Sequence, residues 1–128
     1  QVYLTRLEND LLELLDASAS GTLARHELKW KPEASVCVIM ASGGYPGSYA
    51  KGKVISGLDA ANRLPKTKVF HAGTALKDGQ IVTNGGRVLG VTVLGKNLRA
   101  AQAAAYAAVE CLQFEGAHFR RDIAAKAV

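Results

Sequence analysis

No apolar run in this sequence approaches the roughly 18–20 residues that a transmembrane helix requires. No secretory leader pattern is visible either. Only two cysteines occur, Cys37 and Cys111. They lie far apart, in strand-like and helix-like surroundings, and supply neither a disulfide framework nor zinc-ligand spacing. They read as two buried free thiols in a reducing cytosol. Neither phosphate-cradling motif, GxxxxGK[ST] or GxGxxG, is present. Aromatic residues are 6% of the chain and do not interleave with basic ones, which argues against a nucleic-acid surface. The net charge of +5 is scattered over positions such as Arg25, Lys29, Lys31, Lys51, Lys53, Arg120 and Arg121. A scattered excess reads first as solvated surface, then as attraction for anionic substrates, and last as nucleic-acid binding. The expectation is a cytoplasmic chain with no membrane or nucleic-acid partner. The chain opens on Gln1, and a helical pattern starts almost at once, so a piece of a longer chain is expected.

With 128 residues, 48% of them hydrophobic, the chain can bury the core of one domain plus an appendage. Leu4, Leu7, Leu11, Leu14 and Leu15 recur at three- and four-residue steps and predict one helix over Leu4–Leu15. Thr5 and Glu8 have capping-box spacing, and Gly21 is a plausible stop. A boundary at about residue 28 separates this appendage (1–27) from the main domain (28–128). Ser35–Ala41 reads as a buried strand and Ser56–Leu64 as a short helix ended by Pro65. Lys68–Thr74 reads as a strand that forms a hairpin with Gln80–Thr83 through the turn Lys77-Asp78-Gly79. Arg87–Leu94 is a further strand. Asn97 then caps an alanine-rich helix with the stripe Leu98, Ala101, Ala105, Val109 and Leu112. The tail predicts a loop and a short closing helix. The fold class is α+β: a small antiparallel sheet meander packed against a long C-terminal helix and preceded by an N-terminal helix.

Two glycine turns are the segments best suited to chemistry. SGGYPGSYAKG, from Ser42 to Gly52, follows a buried strand. Its Gly44, Tyr45, Gly47 and Lys51 either form a rigid corner or let the backbone approach an anion. In TNGGRV, the turn Asn84-Gly85-Gly86 presents Arg87 at the start of a strand. The plainer reading is an exposed charge at a strand edge. The functional one is a phosphate or carboxylate contact, for which guanidinium geometry is suited. A lone His71 on a strand reads as structural. His118 near Arg120, Arg121 and Asp122 reads chiefly as a site of Arg–Asp pairing. No complete catalytic constellation or metal-ligand set is visible.

Taken in order, GGYPGSYAKG, VFHAGT, TNGGRVLGVT and FEGAHFRRDI resemble the C-terminal domain of the phosphoribosylamine–glycine ligase family. The opening TRLENDLLELL resembles the helix that ends that family's ATP-grasp domain. A mild departure is Ala50, where the family commonly has an acidic residue before the lysine. The resemblance implies a ligase of de novo purine biosynthesis that phosphorylates the glycine carboxylate with ATP. The amine of 5-phosphoribosylamine then attacks the acyl phosphate, giving glycinamide ribonucleotide, ADP and phosphate. It further implies that the metal ligands, the ATP cleft and the N-terminal substrate domain lie upstream of Gln1. ATP and Mg²⁺ are then not expected to bind this chain alone, and the isolated chain is expected to be inactive. Gly44–Gly52 and Asn84–Arg87 become candidates to face the substrate side of the cleft. A stand-alone, non-catalytic anion-binding or interaction module is the alternative.

Overall fold

The structure, a computed structural model, describes residues 1–128. Its centre is a sheet of three antiparallel strands in the order β1-β5-β2, where β1 is Ala34–Ala41, β2 Thr67–His71 and β5 Arg87–Gly95. Strand alternation divides β1 between two faces. Val36, Val38 and Met40 are buried, whereas Cys37 and Ile39 on the opposite face are only half-buried. Strand β5 runs between its two partners, and Val88 to Val93 are buried throughout, as expected for a central strand with both faces covered.

A 13-residue helix, the longest in the chain, packs on the core face of β1 and β5. It spans Leu98–Glu110 and is labelled α4 below. No helix is long and apolar enough to cross a membrane. Asn97 caps it as expected, its Oδ1 accepting the Ala100 N–H at 2.9 Å. Most of the sequence stripe is buried: Ala101, Ala105 and Val109 face the sheet, with Leu112 just past the helix end, while Leu98 is half-buried and Ala108 joins the buried face. Alanines at these positions keep the helix close to the strands, so the core is built largely from valine and alanine.

The α+β class is as expected, but the strands do not follow one another as a meander. β1 and β5, neighbours in space, are separated in sequence by the other three strands. The predicted strand Lys68–Thr74 breaks at Ala72–Gly73. Residues before the break, in β2, pair with β5, while β3 (Thr74–Lys77) pairs with β4 (Gln80–Thr83) in a separate two-stranded sheet. The hairpin therefore joins β3, not β2, to β4. Its turn residues Asp78 and Gly79 both have positive φ, 49° and 76°, the backbone of a type I′ turn. The short helix α3 spans Leu58–Arg63, inside the predicted Ser56–Leu64.

The opening helix is also divided. α1 covers Val2–Arg6 and α2 covers Leu11–Ala19. Asn9 and Asp10 cause the break, because short polar side chains compete for main-chain groups. The Asp10 carboxylate accepts the Leu12 N–H at 2.7 Å and starts α2. The Asn9 side chain bonds across to Glu27 and Lys29. Thr5 makes no capping box; its hydroxyl turns back to the carbonyls of Gln1 and Val2 and meets Ser35. The α2 stop near Gly21 is as read: Thr22 N–H bonds Ala17 O and Gly21 N–H bonds Ser18 O, the paired pattern of a Schellman motif. The closing helix expected in the tail is absent; Ile123–Lys126 form turns.

Candidate functional site

The Ser42–Gly52 loop leaves the end of β1, and the Asn84–Gly86 turn leads into β5. Because β1 and β5 are paired, the two glycine turns meet. Ser42 joins them: its N–H donates to the Gly86 carbonyl and its hydroxyl to the Gly85 carbonyl, both at 2.8 Å. The Tyr45 ring then lies directly against Gly86, where any added Cβ would run into it. Glycine is needed at this point for close approach rather than for an unusual dihedral.

A β-bulge sets the direction of Arg87. The ladder pairs Met40 with Leu89, but then Ala41 with Arg87, leaving Val88 as the extra residue. Residues directly opposite in a ladder share a face, and a one-residue shift exchanges the faces. Without the bulge, Arg87 would fall on the face of Leu89, toward the core. With it, Val88 and Leu89 are both buried and Arg87 emerges beside Ala41 on the outer face.

The tail supplies the opposite wall. Ala41 N–H donates to the His118 carbonyl at 2.8 Å and His118 N–H returns a bond to the Ala41 carbonyl at 3.0 Å. The result is a cleft of about 340 Å³. Its floor is Cys37, Ile39 and Ala41, and Tyr45 and Pro46 form one side. His118, Phe119, Arg120 and Ile123 form the other, and Arg87 stands between them. Tyr106 fixes the tail wall, donating from its hydroxyl to the Arg120 carbonyl and accepting the Ile123 N–H.

The charges around the cleft are unequal in their freedom. The chain has three ion pairs, Lys53–Glu115, Lys66–Glu33 and Arg120–Asp122, and none involves Arg87. Arg120 binds both oxygens of Asp122, at 2.8 and 2.7 Å. Those hydrogen bonds hold the Asp122 carboxyl below its usual range and raise the Arg120 guanidinium. Arg87 thus borders an apolar-floored cleft as a cation without a carboxylate partner. It can give a planar pair of donors to an oxyanion.

Residues 35–126 match the family described as phosphoribosylglycinamide synthetase, C domain. The chain belongs to that family. It is 48% identical over 128 residues to the phosphoribosylamine–glycine ligase of Pseudomonas aeruginosa, covering all of this chain and 30% of that protein. It is 51% identical over 128 residues to the ligase of Rhizobium meliloti, again covering all of this chain and 30% of the relative. The chloroplastic ligase of Arabidopsis thaliana is 48% identical over 130 residues, covering all of this chain and 24% of the relative. The crystal structure of the ligase from Thermotoga maritima superposes with a TM-score of 0.67 at 35% identity, over 86% of this chain and 27% of that one. The chain therefore spans less than a third of the length of these relatives.

Of the residues singled out in this C domain by sequence, Tyr45 and Arg87 come together in the cleft, and Gly85 and Gly86 form the turn that leads into Arg87 and lies against the Tyr45 ring. Asn84 is exposed and tied through its N–H to the Gly73 carbonyl. Gly44, Gly47 and Lys51 lie on the exposed part of the first loop, outside the cleft lining. The two loop tyrosines pack edge to face, 6.2 Å between centroids. Lys53 is occupied by Glu115. His71 is exposed, with Nδ1 3.1 Å from the Thr74 hydroxyl. Both cysteines are free but only half-buried, not fully buried as expected, because Cys37 lies on the open face of β1. The Arg–Asp pairing expected near His118 is present as Arg120–Asp122. That this same segment walls the cleft is not legible in the sequence. The local signal was only the run of His118, Phe119 and Arg120; their partner Ala41 lies far away in sequence.

Proposed function

We propose that this chain acts as the C-domain part of a phosphoribosylamine–glycine ligase, joining glycine to 5-phosphoribosylamine with ATP in purine biosynthesis in the cytoplasm. Support comes from relatives of that name aligned along the whole chain. We divide the chain at residue 28, with 1–27 ending an ATP-grasp domain and 28–128 forming the C domain. The family match at 35–126 falls inside the second part. No three His, Cys, Asp or Glu side chains converge in this chain, so the residues present do not make a seat for Mg²⁺. Holding the nucleotide and its metal falls to the remainder of the ligase, as does most of the chemistry.

The role left to this chain is to present Arg87 and Tyr45 to the substrate side, with Arg87 binding the phosphate of 5-phosphoribosylamine. The single observation that carries this reading is Arg87's lack of a counter-charge at the mouth of the cleft. A buried or paired arginine would be structural; one held unpaired by a bulge has its donors free for a ligand. The test is a chimeric ligase in which these 128 residues replace the corresponding part of the Pseudomonas aeruginosa enzyme. Arg87→Ala should raise KM for 5-phosphoribosylamine about tenfold to a hundredfold, the size of a lost charge-assisted hydrogen bond. KM for glycine should not change. The isolated chain should show no ATP-dependent ligation. Unchanged constants for Arg87→Ala would remove the anion role from this residue.

A further inference from the structure

We infer that Ser42 is the positioning residue of the cleft, its buried hydroxyl holding the Gly85–Gly86 turn in the setting that aims Arg87 outward. The inference rests on the reading of Arg87 as an anion contact. Ser42 is 4% exposed and all of its polar groups are used. The hydroxyl takes the Gly85 carbonyl, the N–H takes the Gly86 carbonyl, and the Ser42 carbonyl accepts the Tyr45 N–H at 3.1 Å. One residue thus grips the two successive carbonyls before Arg87 and also the loop whose ring rests on Gly86.

The far side of the turn is held by main chain alone. Gly73 N–H donates to the Arg87 carbonyl at 2.8 Å, and the Gly73 carbonyl accepts the Asn84 N–H at 2.7 Å. Among these bonds only the Ser42 hydroxyl is a side-chain group, so only it can be deleted without altering the backbone. Once deleted, the Gly85 carbonyl must turn to find another donor. Two adjacent glycines offer little resistance to that rotation, and Arg87 is the next residue. Ala41, immediately before Ser42, is Arg87's ladder partner and the His118 anchor, so both walls of the cleft depend on this short segment.

The test titrates inorganic phosphate into the 128-residue chain and follows the Arg87 Nε–Hε resonance by NMR. Backbone ¹⁵N relaxation of Gly86 and Arg87 is recorded alongside. Ser42→Ala should weaken phosphate binding about threefold to tenfold, as for one lost hydrogen bond, and should increase ps–ns motion at both residues. Asn97→Ala, which removes the α4 cap outside the cleft, is the control for a purely structural loss. It should lower the melting temperature and change neither readout. If phosphate shifts Arg87 in the parent chain with equal affinity in Ser42→Ala, the role of Ser42 is overturned while the anion reading stands. If phosphate leaves Arg87 unmoved in the parent chain, the anion reading falls and this inference with it. Should Ser42→Ala not fold, Ser42→Cys, similar in size but a weak donor, is read by the same outcomes.

Discussion

Arg87 and Arg120 stand on the same cleft with opposite allegiances. Arg87 could be picked out from the sequence, because a Gly-Gly turn followed by a lone arginine is a recognisable local pattern. Ser42 could not, since a serine after an apolar strand is ordinary until its hydroxyl is seen on Gly85. Arg120 is bound to Asp122, and their pairing makes a pH prediction. Folding depresses the Asp122 carboxyl below its unfolded value through the Arg120 hydrogen bonds. The associated stabilisation is therefore present above the unfolded carboxylate pKa and lost as pH falls through the folded one. Both side chains are exposed, so the effect is small. An NMR titration should give a low Asp122 midpoint that returns to the ordinary carboxylate range in Arg120→Ala. An unchanged midpoint in that variant would assign the shift to something other than Arg120.

The elements differ in how far local sequence determines them. β1 and α4 are legible because a β-branched run and an N-capped alanine stripe each carry their own period. The opening helix reads as continuous because the leucine spacing carries on from Leu7 to Leu11, whereas Asn9 and Asp10 divert the backbone. The β2–β3 break is hidden from the sequence for a different reason. Ala72 and Gly73 stay hydrogen-bonded to β5, at Val88 and Arg87, but across its bulge, where the regular ladder ends and which no local pattern announces. Equally, nothing near His118 signals that it will bond Ala41. The cap of α4 gives a direct test at this scale: Asn97→Ala should destabilise the chain by about 1 kcal/mol in urea unfolding, within the usual range for a lost N-cap. A cost near zero would mean that packing of Ala101, Ala105 and Val109 alone sets the start of the helix.

At the scale of the whole molecule, the opening segment leaves a large apolar surface uncovered. Tyr3 is 77% exposed, Leu12 74% and Leu15 57%, with Leu4, Leu11 and Trp30 also open. The exposure is not continuous along the segment: Leu14 is buried and Leu7 half-buried. Exposed apolar surface of this kind favours association with other protein. The isolated chain should self-associate with rising concentration in sedimentation velocity, and Leu12→Glu with Leu15→Glu should restore a monomer. A parent chain that stays monomeric throughout would favour a self-sufficient module. The bulge at Val88 carries a consequence of another kind. Because strand faces alternate, a chain without Val88 would pair Met40 with Leu89 and Ala41 with Arg87 in unbroken register and still bring the guanidinium out beside Ala41. A chain that kept Val88 but paired it regularly with Ala41 would instead send that charge into the valine core. What keeps the arginine outside is the placing of the irregularity, not the number of residues.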